Sequence, residues 1–133
     1  MTDLPILHTS RIPVRWGDMD ALGHVNNARY FTYAEQARIE WMHSALDGDW
    51  SESGPILASI SADFKRPIVH PATVEVQVLG GEPGRSSLKQ PYRLLVDGEV
   101  MCEMTGVIVW VSRETGRPVS LPEPIRAAAT GAP

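Results

Sequence analysis

The sequence predicts an α+β domain in which one long helix lies on one face of a five-stranded antiparallel sheet. Three observations predict it. A segment from about Asn26 to Leu46 carries apolar residues at steps of three and four. From residue 56 onward the pattern switches to a period of two, in four runs joined by short connections. A fifth alternating run precedes the helix. Strands joined this closely form antiparallel meanders in one sheet, and the helix must then cover one face of it. At 133 residues, with no internal repeat and no evident linker, the chain reads as a single domain over residues 1–133.

The elements follow in order. Thr9 to Trp16 alternates Ile12, Val14 and Trp16 with Arg11, Pro13 and Arg15, a strand in which Pro13 suits an edge or a start. Gly17 to Asn26 is rich in Gly, Asp and Asn and reads as a structured loop. Asn26 or Asn27 then caps the helix, because its side chain can accept a hydrogen bond from a free first-turn amide. Tyr30, Ala34, Ala37, Trp41 and Ala45 form one stripe, which Phe31, Ile39, Met42 and Leu46 widen; so broad an apolar surface suggests cover on several sides. Asp47-Gly48 ends the helix.

Ile56, Ala58, Ile60, Ala62 and Phe64 are expected on one face of the next strand, which Pro67 ends. Val74, Val76 and Val78 mark the third strand, and Gly80 to Gly84 reads as a turn. Leu88, Tyr92, Leu94 and Val96 mark the fourth, where Pro91 predicts a bulge or an edge. Asp97-Gly98 is a strong two-residue hairpin signal. Glu99 to Val111 is long and apolar enough to be central. Thr115 to Pro118 turns out of it, and the tail from about Leu121 reads as loosely ordered. A sheet of this size leaves an edge and part of a face open, so a homodimer or homotetramer is expected.

Composition narrows the function. Twelve basic against sixteen acidic residues give a net charge of -4, which does not favour nucleic acid as the partner. The single cysteine, Cys102, cannot form a disulfide within the chain, and no signal-peptide pattern is visible at the N-terminus, so a cytoplasmic setting is expected. No apolar run approaches the ~20 residues of a membrane span. His8, His43 and His70 show no metal-ligand spacing, so no metal and no cofactor are expected.

The chemistry concentrates in Arg15-Trp16-Gly17-Asp18-Met19-Asp20-Ala21-Leu22-Gly23-His24-Val25-Asn26-Asn27-Ala28-Arg29-Tyr30. This stretch places two carboxylates and an imidazole just before a helix N-terminus, whose free amides can hold a developing oxyanion. A carboxylate there can act as a general base on water or attack a carbonyl directly. A thioester suits such a site, because a thiol of pKa ~8.5 leaves with little acid assistance.

The same stretch resembles the hot-dog-fold thioesterases of the 4-hydroxybenzoyl-CoA thioesterase class, and more closely their bacterial acyl-CoA thioesterase relatives. Asp63-Phe64-Lys65-Arg66-Pro67, Gly84-Arg85-Ser86-Ser87-Leu88, Val109-Trp110-Val111 and Thr115-Gly116-Arg117-Pro118 extend the likeness in order and spacing. The resemblance implies a sheet wrapped around one long helix and hydrolysis of an acyl-coenzyme A, with CoA as part of the substrate. It implies Asp20 as the catalytic carboxylate and the amide near Asn27 as the carbonyl's donor. His24 matches the histidine of the His-Val-Asn-Asn form found also in plant acyl-carrier-protein thioesterases. Leu22 stands where those plant enzymes carry an asparagine, and Pro71-Ala72 where relatives often carry Gly-Asp.

Asp18 reads as structural, binding loop amides or Arg15. His24 either orients Asp20 or water, or packs within the loop. Glu35 and Arg38, three apart on the helix, read as a pair, although a helix glutamate is the catalytic residue in another hot-dog subgroup. Arg85, Ser86, Ser87, Lys89, Arg93, Lys65 and Arg66 are candidates for the CoA phosphates, against a solvated sheet face. Tyr30, Phe31 and either Ile56 or Leu57 are candidate walls for the acyl group. Two alternatives stand beside the hydrolase: a non-catalytic acyl-CoA-binding sensor, and a hot-dog dehydratase or hydratase.

Overall fold

The computed structural model describes residues 4–50 and 52–131. The elements are β1 (Ile6–Pro13), a 3-10 turn (Trp16–Asp18), α1 (Asn27–Ala45), β2 (Ser53–Phe64), β3 (Thr73–Leu79), β4 (Glu82–Pro83), β5 (Ser87–Val96), β6 (Glu99–Ser112) and α2 (Glu123–Ala128). The sheet is antiparallel and runs β1-β3-β5-β6-β2, with β4 paired to β5. It has six strands, not the expected five.

The sixth strand comes from the Gly80–Gly84 segment read as a turn. Gly80 and Gly81 break the ladder, and Glu82 and Pro83 rejoin β5 opposite Lys89 and Leu88. Glycine is required at the break, because a Cβ on Gly81 would lie 2.4 Å from the Lys89 carbonyl oxygen. Pro91 stands opposite this interruption, between the Val78–Tyr92 and Glu82–Lys89 pairings, where a missing N–H does least harm to the ladder. The β5–β6 turn is the expected hairpin: Asp97 and Gly98 both take positive φ, 50° and 80°.

α1 lies over β1, β3 and β5. Its buried stripe is Tyr30, Tyr33, Ala34, Ala37, Arg38, Trp41 and Met42, which meets Val74, Val76, Val78, Leu88, Tyr92 and Leu94 of the sheet. Each fully buried large side chain of this core contributes roughly 1.5–3 kcal/mol. Within one protomer α1 is not covered on several sides: Ile39 is exposed and Phe31 half-buried.

Three further expectations are corrected. β1 ends at Pro13, three residues early, and Trp16 opens the 3-10 turn with 76% of its surface exposed. In β2 a bulge between Leu57 and Ser59 breaks the single expected face. Ile56 pairs with Val109 on the outer face, while Leu57 joins Ile60, Ala62 and Phe64 on the inner one. The tail is ordered as far as it is described: Leu121, Ile125 and Ala129 are buried, four residues apart, and the Ala129 carbonyl accepts from the Gly81 amide at 2.8 Å. No helix among the described residues is long and apolar enough to cross a membrane.

Candidate active site

The loop between β1 and α1 is fastened at both ends. The Val14 amide donates to the Ala72 carbonyl and the Val25 amide to the Ile68 carbonyl, each at 2.8 Å. Inside the loop the Asp20 amide donates to the His24 carbonyl at 2.9 Å and the Gly23 amide to the Asp20 carbonyl at 3.0 Å. Gly23 takes φ 82°, a turn that only glycine adopts without strain.

Asp18 pins this loop to the helix. Its side chain is 2% exposed and accepts four hydrogen bonds. The Arg15 amide (3.0 Å) and the Tyr33 hydroxyl (2.8 Å) donate to Oδ2, while Arg15 Nε (3.2 Å) and Nη2 (2.9 Å) donate to Oδ1. Burial alone would raise the carboxyl's pKa, but the hydrogen bonds from Arg15 and Tyr33 together outweigh it and hold the group below the ordinary value. Burial and the adjacent Asp18 carboxylate push the Tyr33 hydroxyl well above its ordinary range, so it stays a donor.

Asp20 is the less buried counterpart. It is half-buried; Oδ1 accepts from the Leu22 amide at 3.0 Å and Oδ2 from the Asn26 side-chain amide at 3.3 Å. Asn26 is also the helix cap, its Oδ1 accepting from the Ala28 amide at 2.9 Å. At this helix start the Asn26 amide donates to the Asp18 carbonyl and the Arg29 amide to the Asn26 carbonyl. The Asn27 amide is left, among the described residues, without a hydrogen-bond partner. It is the donor that a developing oxyanion can claim at the positive end of the helix.

A cleft of about 350 Å³ opens beside Asp20, lined by Gly17, Asp18, Met19, Asp20, Asn26, Ala28, Arg29 and Thr32. Arg29 and Thr32 were not among the candidates read from sequence. The available signal was charge placement: an arginine in the first helical turn opposes the helix dipole, and here its Nε lies 3.8 Å from the Asp18 carboxylate.

The other candidates lie elsewhere in the protomer. His24 contributes its backbone carbonyl to Asp20, and its side chain is exposed. Tyr30 is 2% exposed, its hydroxyl accepting from the Ile68 amide at 3.2 Å and its ring edge-on to Phe64; it is a core residue, not a wall of the cleft. Lys65 pairs with Glu103 at 3.5 Å and Arg66 with Glu99 at 3.0 Å. The Arg85–Ser87 turn is bonded to Trp110 and Leu121, and Trp110 borders a cavity with Leu46 at the far end of α1. A helix of 19 residues spans about 28 Å, so this turn and the Asp20 cleft lie toward opposite ends of α1. Glu35 sits 3.8 Å from the buried Arg38, as the pair expected on the helix. Among the described residues no group of three or more His, Cys, Asp or Glu side chains could hold a metal ion.

Residues 14–129 match the model of the thioesterase-like superfamily. The chain belongs to that superfamily. The solved structure of the PA2801 protein of Pseudomonas aeruginosa shares 41% identity over 92% of this chain and 98% of its own, with a TM-score of 0.86. A Thermus thermophilus thioesterase complexed with coenzyme A and zinc shares 34% identity over 96% of this chain and 97% of its own, with a TM-score of 0.78. The long-chain acyl-CoA thioesterase FadM of Escherichia coli is 27% identical over 124 residues, covering 88% of this chain and 92% of FadM. The superfamily match includes the whole Asp18–Arg29 region, so the residues that converge on the cleft belong to the shared fold.

Proposed function

We propose that this thioesterase-like protein hydrolyses the thioester of an acyl-coenzyme A, as a member of the 4-hydroxybenzoyl-CoA thioesterase class. The observation that carries the reading is the pairing of the Asp20 carboxylate with the unpartnered Asn27 amide across the capping residue between them. The likeness to FadM and to the coenzyme A complex supports the substrate class.

In the general-base route Asp20 takes a proton from water. The resulting hydroxide adds to the thioester carbon, and the carbonyl oxygen becomes an oxyanion held by the Asn27 N–H. Collapse breaks the C–S bond, and the CoA thiolate departs and is protonated. In the nucleophilic route the same carboxylate attacks the carbon and expels the CoA thiolate, which is protonated, and water then opens the mixed anhydride to release the acid and free Asp20. Both routes require Asp20 ionised, and neither requires a serine or cysteine nucleophile.

The working unit in this reading is a homodimer, alone or within a tetramer. β2 is an edge strand whose inner face leaves Leu57 and Phe64 about 40% exposed, with Phe31 of α1 edge-on to Phe64. A second copy running antiparallel along this face would bring its own Arg85–Ser87 turn, at the far end of its helix, toward the Asp20 cleft, where the turn could meet the CoA phosphates. The enzyme is taken to act in the cytoplasm, where the lone, buried Cys102 needs no partner.

The test is release of free thiol from a panel of straight-chain acyl-CoAs and one aryl-CoA, run beside hydration of an enoyl-CoA. Thiol release from at least one substrate supports the reading. Binding without release, or hydration alone, would overturn it in favour of a sensor or a hydratase.

A further inference from the structure

Asn26 has all its hydrogen-bonding groups committed although it lies on the surface. Its amide donates to the Asp18 carbonyl at 3.0 Å and its carbonyl accepts from the Arg29 amide at 2.8 Å. Its Oδ1 accepts from the Ala28 amide at 2.9 Å, and its Nδ2 donates to Asp20 Oδ2 at 3.3 Å. Capping alone does not demand asparagine, since aspartate and serine cap as well. Donating to a carboxylate while capping does: aspartate has no donor, and serine has one short hydroxyl.

We infer that Asn26 is a positioning residue for thioester hydrolysis, fixing the Asp20 carboxylate at a set distance from the Asn27 amide by bonding both the loop and the first helical turn. The inference rests on the hydrolase reading above. The base and the oxyanion donor belong to different elements, the loop and α1. Without a tie they would move independently, and a misplacement of about 1 Å can cost on the order of 10²-fold in rate. Asn26 is that tie, and Asp18, fixed by Tyr33 and Arg15, holds it from behind through the Asn26 amide.

The informative variant is Asn26→Asp, because it keeps a capping oxygen and so the helix start. It removes the donor to Asp20 and sets a second carboxylate beside it. The charged or titratable groups around Asp20 are Asp18, His24 and Arg15 of the loop, Arg29 of α1, and His70, whose amide bonds Met19 Sδ. Only Arg29 shares the cleft as a cation, and Asp18 already holds it at 3.8 Å. A like charge next to Asp20 therefore favours its protonated form.

For Asn26→Asp the expected result is a melting temperature close to wild type, kcat down at least ~10-fold with KM within about threefold, and the acid limb of the kcat profile moved up by about one pH unit. Asn26→Ser, which caps without adding charge, should lose kcat with its acid limb in place. Wild-type kcat and an unmoved acid limb in Asn26→Asp would overturn the inference, as would losses in both variants that merely follow their melting temperatures. Wild-type protein that releases no thiol defeats the hydrolase reading itself, a result distinct from either of these.

Discussion

Replacing Asp18 by asparagine tests whether one buried carboxylate holds the loop that carries Asp20. The side chain keeps its size, so no cavity opens and the effect is confined to hydrogen bonding and charge. In the wild type four donors meet two carboxylate oxygens: the Arg15 amide and Tyr33 hydroxyl at one, Arg15 Nε and Nη2 at the other. An asparagine offers one oxygen and one NH2. With its NH2 toward Arg15 Nε and Nη2, two donors lose their acceptor; with its NH2 toward the Arg15 amide and Tyr33, only the amide does, because the Tyr33 hydroxyl can rotate and accept from it. At about 1.5 kcal/mol for each bond lost, the cost is about 1.5–3 kcal/mol. For a domain of this length that corresponds to a fall in melting temperature of roughly 5–10 °C.

The pH dependence has a definite sign. A carboxylate held below its ordinary value adds stability above its unfolded pKa, near 3.8, and loses that contribution as pH falls through the lower folded value. The gap between wild type and Asp18→Asn should therefore be full at pH 7 and shrink below about pH 4. Thermal melts at equal protein concentration measure it. A melting temperature within 2 °C of wild type at pH 7 would refute the reasoning, because it would mean that the four short contacts contribute almost nothing net.

Two further outcomes follow from other parts of the fold. Gly81→Ala should destabilise by about 2–3 kcal/mol in urea melts, since the new methyl would meet the Lys89 carbonyl oxygen at 2.4 Å and the Gln90 Cα at 3.3 Å, and both are backbone. Glu40 accepts from Gln36, Ser10 and His8, and these bonds, in that order, lower its pKa to about 2. The side chain is 40% exposed, so Glu40→Gln should cost under about 1 kcal/mol at pH 7 and low salt. That cost should fade as pH drops from the unfolded value of 4.5 toward 2, which melts at pH 7 and pH 3 compare.

Much of this was legible in the chain, for identifiable reasons. The period-two runs of β3 and β6 bury one face in the core, so alternation was enough to read them. Asp97-Gly98 marked its hairpin because a turn with two positive φ values favours those residues. The six-residue α2 was missed because three apolar residues at four-residue spacing make too small a stripe to stand out. β4 was missed because two residues carry no period at all, and what creates it is a close backbone approach that only Gly81 permits. The bulge after Leu57 inserts one residue and reverses the faces of what precedes it, which a pattern of mixed Ile, Leu, Ala and Ser does not encode.

The site divides in the same way. Asp20 stood out in the sequence by its motif and its place before the helix. The sequence reads Asp18 as structural, binding loop amides or Arg15, and the structure shows it accepting from both the amide and the guanidinium of Arg15. The part played by Tyr33 was not readable, because it depends on a helix face brought 15 residues along the chain to the loop. The burial of Tyr30 was not readable, since an aromatic beside a motif looks the same whether it lines a pocket or fills the core. The Arg85–Ser87 turn could be proposed from sequence, but not its place in the fold, at the opposite end of α1 from the Asp20 loop.

The most direct measurement is thiol release by wild type and Asp20→Asn on the best acyl-CoA of the panel, at neutral pH and with melting temperatures in hand. Asp20 lies at the surface and its backbone bonds do not depend on the carboxylate, so the variant should fold normally. A catalytic role for Asp20 requires kcat to fall by ~100-fold or more, the usual scale for loss of a general base or nucleophile, with KM little changed. Equal rates in the two proteins would contradict it, and would direct attention to Glu35 on the exposed flank of α1.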